Sequence, residues 1–121
     1  MGIITDILTL KNPRLPHLRV MEARALVDSG CTYLCIPESV RVELGLEINE
    51  SKPVFLADGS QKFVPYVGPI EVRFKDRVAF CGALVMGDQV LLGAVPMEDM
   101  DLVIVPRTQT LDVNPVCGAR V

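Results

Sequence analysis

Apolar runs in this chain are short, and a Gly, Pro or Asp turn interrupts them about every eight to twelve residues. That rhythm fits an all-β sandwich or barrel and leaves little room for helix. Residues 3–10 form a β-branched run closed by Asn12-Pro13. Met21, Ala23, Ala25 and Val27 then alternate with Glu22 and Arg24 in a second strand, which ends on Asp28-Ser29-Gly30. Residues 54–57 and 62–67 flank Asp58-Gly59, where a primed turn with positive φ at both positions would fold a hairpin. Ile70, Val72 and Phe74 alternate with Glu71, Arg73 and Lys75, and residues 77–86 return after Lys75-Asp76 as a second hairpin. Val90, Leu91 and Leu92 form an apolar run stopped by Gly93, with further strands expected over residues 102–105 and 110–113. Helix is expected over residues 37–44, with Pro37 at its start, Val40 and Leu44 on one face and Gly45 as its C-cap, and in a turn over residues 94–100.

At 121 residues the chain makes one domain, read as residues 1–113 with a loose tail over 114–121. A chain of this size buries roughly two-thirds of the surface that its unfolded form exposes, so an apolar core needs no metal or disulfide support. With no Trp, four Phe and two Tyr, that core must be mostly aliphatic. A net charge of -3 and a pI near 5.1 give nucleic acid or an anionic membrane no electrostatic reason to bind. No stretch approaches the roughly 18 apolar residues of a membrane span, and Thr5, Asp6 and Thr9 interrupt the run that a signal peptide would need. A cytoplasmic protein is expected. In that compartment Cys31, Cys35, Cys81 and Cys117 are free thiols rather than a disulfide framework.

Few residues offer chemistry. The one histidine, His17, stands between Pro16 and Leu18 with no GxSxG nearby, and neither HExxH nor a glycine-rich phosphate loop occurs. Cys31-x3-Cys35 could be half of a metal site completed by Cys81 and Cys117, but no C-x2-C pair accompanies it, so no metal is expected. Cys35 reads instead as a small core residue and Cys31 as a space-filling neighbour of the loop that follows Asp28. The carboxylates remain as acid-base candidates. Asp28 follows the apolar run Ala25-Leu26-Val27 and so sits where a strand leaves the core, partly desolvated and close to backbone N–H donors. The same residues are equally a strand-end Asx turn. Asp58-Gly59 by itself is a generic hairpin turn, and Leu91-Leu92-Gly93 by itself a buried strand.

Taken in order, these segments carry a resemblance. Ala25-Leu26-Val27-Asp28-Ser29-Gly30-Cys31-Thr32, followed by Ile36-Pro37, resembles the active-site segment of retropepsin-like (clan AA) aspartic proteases, in which apolar residues precede Asp-Thr/Ser-Gly. Val90-Leu91-Leu92-Gly93 resembles the family's apolar segment that packs beside the catalytic loop. Leu56-Ala57-Asp58-Gly59-Ser60-Gln61-Lys62 stands in the place of its flap hairpin. The likeness covers residues 20–113 and is closest to small stand-alone prokaryotic members. Departures are Ser29 where Thr is commoner, Cys31 where Ala is usual, and a flap tip poorer in glycine.

The resemblance implies an acid-protease-like closed barrel with a flap hairpin, paired as a two-fold homodimer. It implies a catalytic Asp28, an active-site loop of Ser29, Gly30 and Thr32, a flap tip of Asp58, Gly59 and Ser60, and loop support from Leu91, Leu92 and Gly93. The activity implied is cofactor-free endopeptidase cleavage of a peptide or protein, with Asp28 of each chain at the two-fold axis. Ser29 would bond across that axis, and apolar residues near the flap such as Phe63 and Val64 suggest an apolar cleft. A different class of function uses the same barrel without catalysis, as a dimerisation or peptide-binding module.

Overall fold

Three neighbouring strands fix the architecture, because β7 (Val90–Leu92) lies between two strands that are consecutive in the chain, β2 (Met21–Val27) and β3 (Leu34–Ile36). It runs parallel to β2, with Ala25 opposite Val90 and Val27 opposite Leu92, and antiparallel to β3, with Cys35 opposite Leu91. Residues 28–33 therefore arch over the end of β7. The computed structural model describes residues 3–116. Its other elements are β1 (Thr5–Lys11), α1 (Glu38–Leu44), β4 (Ile48–Phe55), β5 (Gln61–Phe74), β6 (Arg77–Val85), α2 (Ala94–Asp99), β8 (Leu102–Val105) and β9 (Thr110–Val113).

The sheet runs β1-β2-β7-β3-β6-β5-β4, and β1 also pairs with β5 through Thr9–Arg73, Leu10–Val72 and Lys11–Glu71. Those pairs close six strands into a barrel and leave β4 outside the ring as the arm of a hairpin. Closure removes the exposed edges that an open sheet would present. Inside the barrel, Leu8, Leu10, Leu34, Ile36, Ile70, Val72 and Leu92 are fully buried, each contributing about 1.5–3 kcal/mol relative to exposure. The core is mostly aliphatic, with Phe74 its one buried aromatic side chain among the described residues.

β5 is one strand of 14 residues rather than the ends of two separate hairpins. A bulge makes this possible: Val67 faces Ala83 but Ile70 faces Cys81, so three steps on β5 match two on β6. The extra residue switches which side chains point inward. Before the bulge, Val64 and Tyr66 belong to a small outer cluster with Cys35 and Leu84; after it, Ile70, Val72 and Phe74 fill the barrel. Gly68 takes φ 150° at this point, where a Cβ would lie 3.2 Å from the Cys81 carbonyl oxygen.

β4 begins at Ile48, six residues before the apolar run that suggested it, because its first half is a largely polar, solvent-exposed edge strand paired to residues 65–67. β3 was not expected at all; it is a three-residue buried run without alternation. α1 ends as its sequence indicates, with Gly45 at φ 63° and Val40 and Leu44 buried. Asn12, the one buried polar side chain of the described residues, holds that helix end by donating Nδ2 to the Leu44 carbonyl at 2.9 Å.

The expected tail begins inside bonded structure. The Asn114 amide donates to the Asp101 carbonyl at 3.0 Å and its carbonyl accepts from Arg77 at 2.7 Å. Residues 117–121, and with them Cys117, lie outside the described residues. Among the described residues no helix is long and apolar enough to cross a membrane.

Candidate active site

Asp28 stands one residue beyond β2, and its amide continues the parallel ladder by donating to the Leu92 carbonyl at 3.0 Å. The chain then turns tightly. The Cys31 amide donates to the Asp28 carbonyl at 3.1 Å, and the Gly30 amide donates to the Asp28 carboxylate oxygen Oδ1 at 3.0 Å. A Cβ on Gly30 would sit 3.3 Å from that oxygen, so glycine leaves the carboxylate uncrowded. Asp28 is half-buried, while Ser29, Gly30 and Thr32 are exposed. This is an Asx turn, as the residues alone allowed, and the residues that follow it, Gly30 to Tyr33, line a groove that Asp28 itself does not line.

The far side of the arch is pinned by the segment after β7. Ala94 donates its amide to the Cys31 carbonyl at 2.7 Å, and Val95 donates to the Thr32 carbonyl at 2.9 Å. Gly93 lies directly beneath, where a Cβ would be 2.6 Å from the Cys31 carbonyl oxygen and closer still to that of Tyr33. The glycine is there for close approach of two backbones. Leu92 is fully buried in the barrel, whereas Leu91 packs against the outer cluster.

A groove of about 340 Å³ opens beside this loop. Gly30, Cys31, Thr32 and Tyr33 form one wall, Pro53, Val54, Phe55 and Leu56 the other, with Cys35, Leu84 and Met86 also lining it. It has the concave, mostly apolar character of a ligand site. Phe63 and Val64 do not line it: Phe63 is 64% exposed and Val64 is buried in the outer cluster. The hairpin wall comes from β4, whose Pro53 lies opposite Phe63 and Val54 opposite Lys62, and not from β5.

The hairpin tip differs from the primed turn that Asp58-Gly59 suggested. The Gly59 amide donates to the Leu56 carbonyl at 2.9 Å, and the Leu56 amide to the Ser60 carbonyl at 2.8 Å. Only Gly59 has positive φ, at 84°, the pattern of a three-residue loop with a glycine bulge. Asp58 instead accepts from the Ser60 amide at 2.8 Å and the Ser60 hydroxyl at 2.5 Å. Those bonds hold its carboxyl below the ordinary aspartate range, a local role that leaves little for a second catalytic carboxylate.

Two features escaped sequence reasoning. Cys31 and Cys35 bring their sulfurs to 3.5 Å, and Cys35 is buried, so its thiol is pushed up to about 12 by desolvation first, then by Cys31 and by the charge of Asp28. Tyr33 and Tyr66 meet edge to face at 5.7 Å, with the Lys52 ammonium 4.7 Å from the Tyr66 ring centre. Both groupings involve an irregular loop, where no periodicity announces which side chains will meet. Among the described residues no three His, Cys, Asp or Glu side chains converge to hold an ion, and Cys117 lies outside those residues. His17 is exposed on a separate hollow of about 770 Å³ whose walls include Glu22 and Glu43 but neither serine nor cysteine.

The six-strand barrel, the arch over β7 and the flap-like hairpin define a retropepsin-like fold. Solved structures agree. The chain is similar to the EIAV protease complexed with the inhibitor HBY-793, with a TM-score of 0.61 and 15% identity over 81% of this chain and 88% of that one. It is also similar to the retroviral protease-like domain of Ddi1 from Leishmania major, with a TM-score of 0.61 and 11% identity over 95% of this chain and 92% of that one. Comparison with models of protein families and with curated proteins finds no match.

Proposed function

We propose that this protein is an aspartic endopeptidase whose active site forms when two chains pair and bring their Asp28 carboxylates together. The observation that carries this reading is the position of Asp28: a half-buried carboxylate, aligned by the Gly30 amide, on a loop that walls an apolar groove facing a hairpin. The retropepsin-like fold supports it, and so does the inhibitor complex recorded for the EIAV protease. In the proposed roles Ser29, Gly30 and Thr32 shape the active-site loop, Asp58, Gly59 and Ser60 form the flap tip, and Leu91, Leu92 and Gly93 support the loop. Residues 1–113 make the protease domain, and 114–121 its tail. Free thiols at Cys31, Cys35 and Cys81 suit a cytoplasmic setting.

Two like charges at hydrogen-bonding distance cannot both ionise, so the pair shares one proton. The ionised carboxylate takes a proton from a bound water as the water oxygen bonds to the peptide carbonyl carbon. The neutral carboxyl donates its proton to the carbonyl oxygen. Collapse of the tetrahedral intermediate breaks the C–N bond, and the amine leaves carrying a proton returned by the dyad. The hairpin over the groove would exclude bulk water and strengthen these hydrogen bonds.

The test is Asp28→Asn assayed on a peptide library beside the wild type. Turnover should fall by about four orders of magnitude, with the thermal unfolding midpoint preserved because Asn keeps the oxygen that Gly30 donates to. Equal cleavage by both proteins would overturn the assignment. Saturable peptide binding with no cleavage by either would assign the barrel to binding instead.

A further inference from the structure

We propose that Cys31 and Cys35 are an oxidisable pair built into the active-site loop: a hydroperoxide oxidises Cys31, and Cys35 then closes a disulfide that reshapes the peptide groove. The consequence for cleavage rests on the proposed peptidase function, whereas the bond and its structural effect do not.

The two sulfurs differ in access and agree in position. Cys31 is half-buried and lines the groove, so a small oxidant reaches it. Cys35 is 1% exposed and lies behind it, 3.5 Å away sulfur to sulfur, among Val64, Leu84 and Leu91. Cys31 lines the groove while Cys35 is buried behind it with its thiol held protonated by burial, so Cys31 is the sulfur that meets the oxidant and attacks. The Cys31 sulfur bonds to one peroxide oxygen, the O–O bond breaks, and water or an alcohol leaves, giving a sulfenic acid. The Cys35 sulfur then bonds to the Cys31 sulfur, the S–O bond breaks, and water leaves with the Cys35 proton. Two thiols and one hydroperoxide thus give one disulfide, one water and one water or alcohol.

Disulfide bonding requires the sulfurs to close by about 1.5 Å. The loop has no slack with which to absorb this on its inner side. Cys31 is bonded through its amide to Asp28 and through its carbonyl to Ala94, and Thr32 is bonded to Val95. Gly93 already touches the backbone of Cys31 and Tyr33. The movement must therefore appear in the groove wall and in the two amide bonds from Ala94 and Val95. A thiol reductant reverses it, as suits a transient disulfide in a reducing compartment.

The chain itself provides a clean readout, because trypsin cutting after Arg24 and Arg41 releases one peptide that holds Cys31 and Cys35 and no other cysteine. Wild-type protein, Cys31→Ser and Cys35→Ala are treated with hydrogen peroxide and mapped by mass. The wild-type peptide should lose two hydrogens and regain them with dithiothreitol. Cys35→Ala should stop at one added oxygen on Cys31 that dimedone traps, and Cys31→Ser should leave Cys35 unmodified. Exchange of the Ala94 and Val95 amides should quicken in the oxidised wild type, and peptide cleavage should fall about tenfold and recover on reduction. Two alkylatable thiols in the wild-type peptide after peroxide, or a sulfinic acid on Cys31 beside a free Cys35, would overturn the pair. A disulfide that leaves Ala94 and Val95 exchange unchanged would overturn its coupling to the loop. If the mass and exchange results hold while no cleavage occurs under reducing conditions, the peptidase reading fails and the redox pair stands.

Discussion

The Asp28 amide donates to the Leu92 carbonyl at 3.0 Å, so the residue with the best claim to chemistry is hung from a strand that lies more than sixty positions later in the chain. One residue beyond Leu92, Gly93 carries no side chain and lets the arch of residues 28–33 rest on it. Loop placement thus depends on packing of backbone on backbone, which tolerates no added atom.

Gly93→Ala is expected to destabilise the protein by about 3 kcal/mol or more, since the new methyl meets carbonyl oxygens that cannot move aside. Gly59→Ala offers a contrast. Nothing lies within 4 Å of its Cβ position, so only the cost of φ 84° applies, about 1 kcal/mol. Urea unfolding of the two variants measures both; a Gly93→Ala variant as stable as Gly59→Ala would contradict the packing argument.

Much of this arrangement was legible in the sequence because it rests on alternation and on residues with narrow conformational uses. Met21 to Val27 alternate, Gly45 caps a helix, and Val90, Leu91 and Leu92 run into a glycine. The polar half of β4 was not legible, since Asn49, Glu50 and Ser51 are exposed in turn along an edge strand and leave no apolar period. The bulge at Gly68-Pro69 hid the continuity of β5, because it inverts the parity on which strand reading depends. Asp28, Ser29 and Gly30 stood out by type. The Cys31–Cys35 contact did not, because an irregular turn has no period that brings positions four apart together.

Stability should decline as pH rises above the ordinary cysteine range. The Cys35 thiol is raised from 9.0 to about 12 and the Cys81 thiol from 9.0 to about 11, each chiefly by burial. In the unfolded chain both release protons near pH 9, while the folded chain holds them, so the unfolded state binds fewer protons in that interval. The stabilisation is complete below pH 9 and is lost progressively toward pH 11 to 12. Urea midpoints measured across this range should fall for the wild type and fall less steeply for Cys35→Ala. An unchanged slope in the variant would place the titration elsewhere.

Cleavage should follow a bell-shaped pH profile whose two limbs belong to the Asp28 pair as a unit. The profile should be the same with and without a chelator, since a carboxylate dyad activates water directly. His17→Ala should leave both limbs in place, because His17 lines a different hollow from the groove. A limb that disappears in His17→Ala would argue for other chemistry.

Dependence on chain pairing separates a shared dyad from every single-chain mechanism, because each chain contributes only one Asp28. Wild-type chains are unfolded together with an excess of Asp28→Asn chains, refolded, and assayed at fixed wild-type concentration, with sedimentation on the same samples. The shared dyad predicts that activity falls as wild-type chains are drawn into mixed dimers, more steeply than replacement by an inert protein would cause, and that dilution to monomer silences the wild type. Constant activity per wild-type chain, in the mixture and in samples that sediment only as monomer, would contradict it.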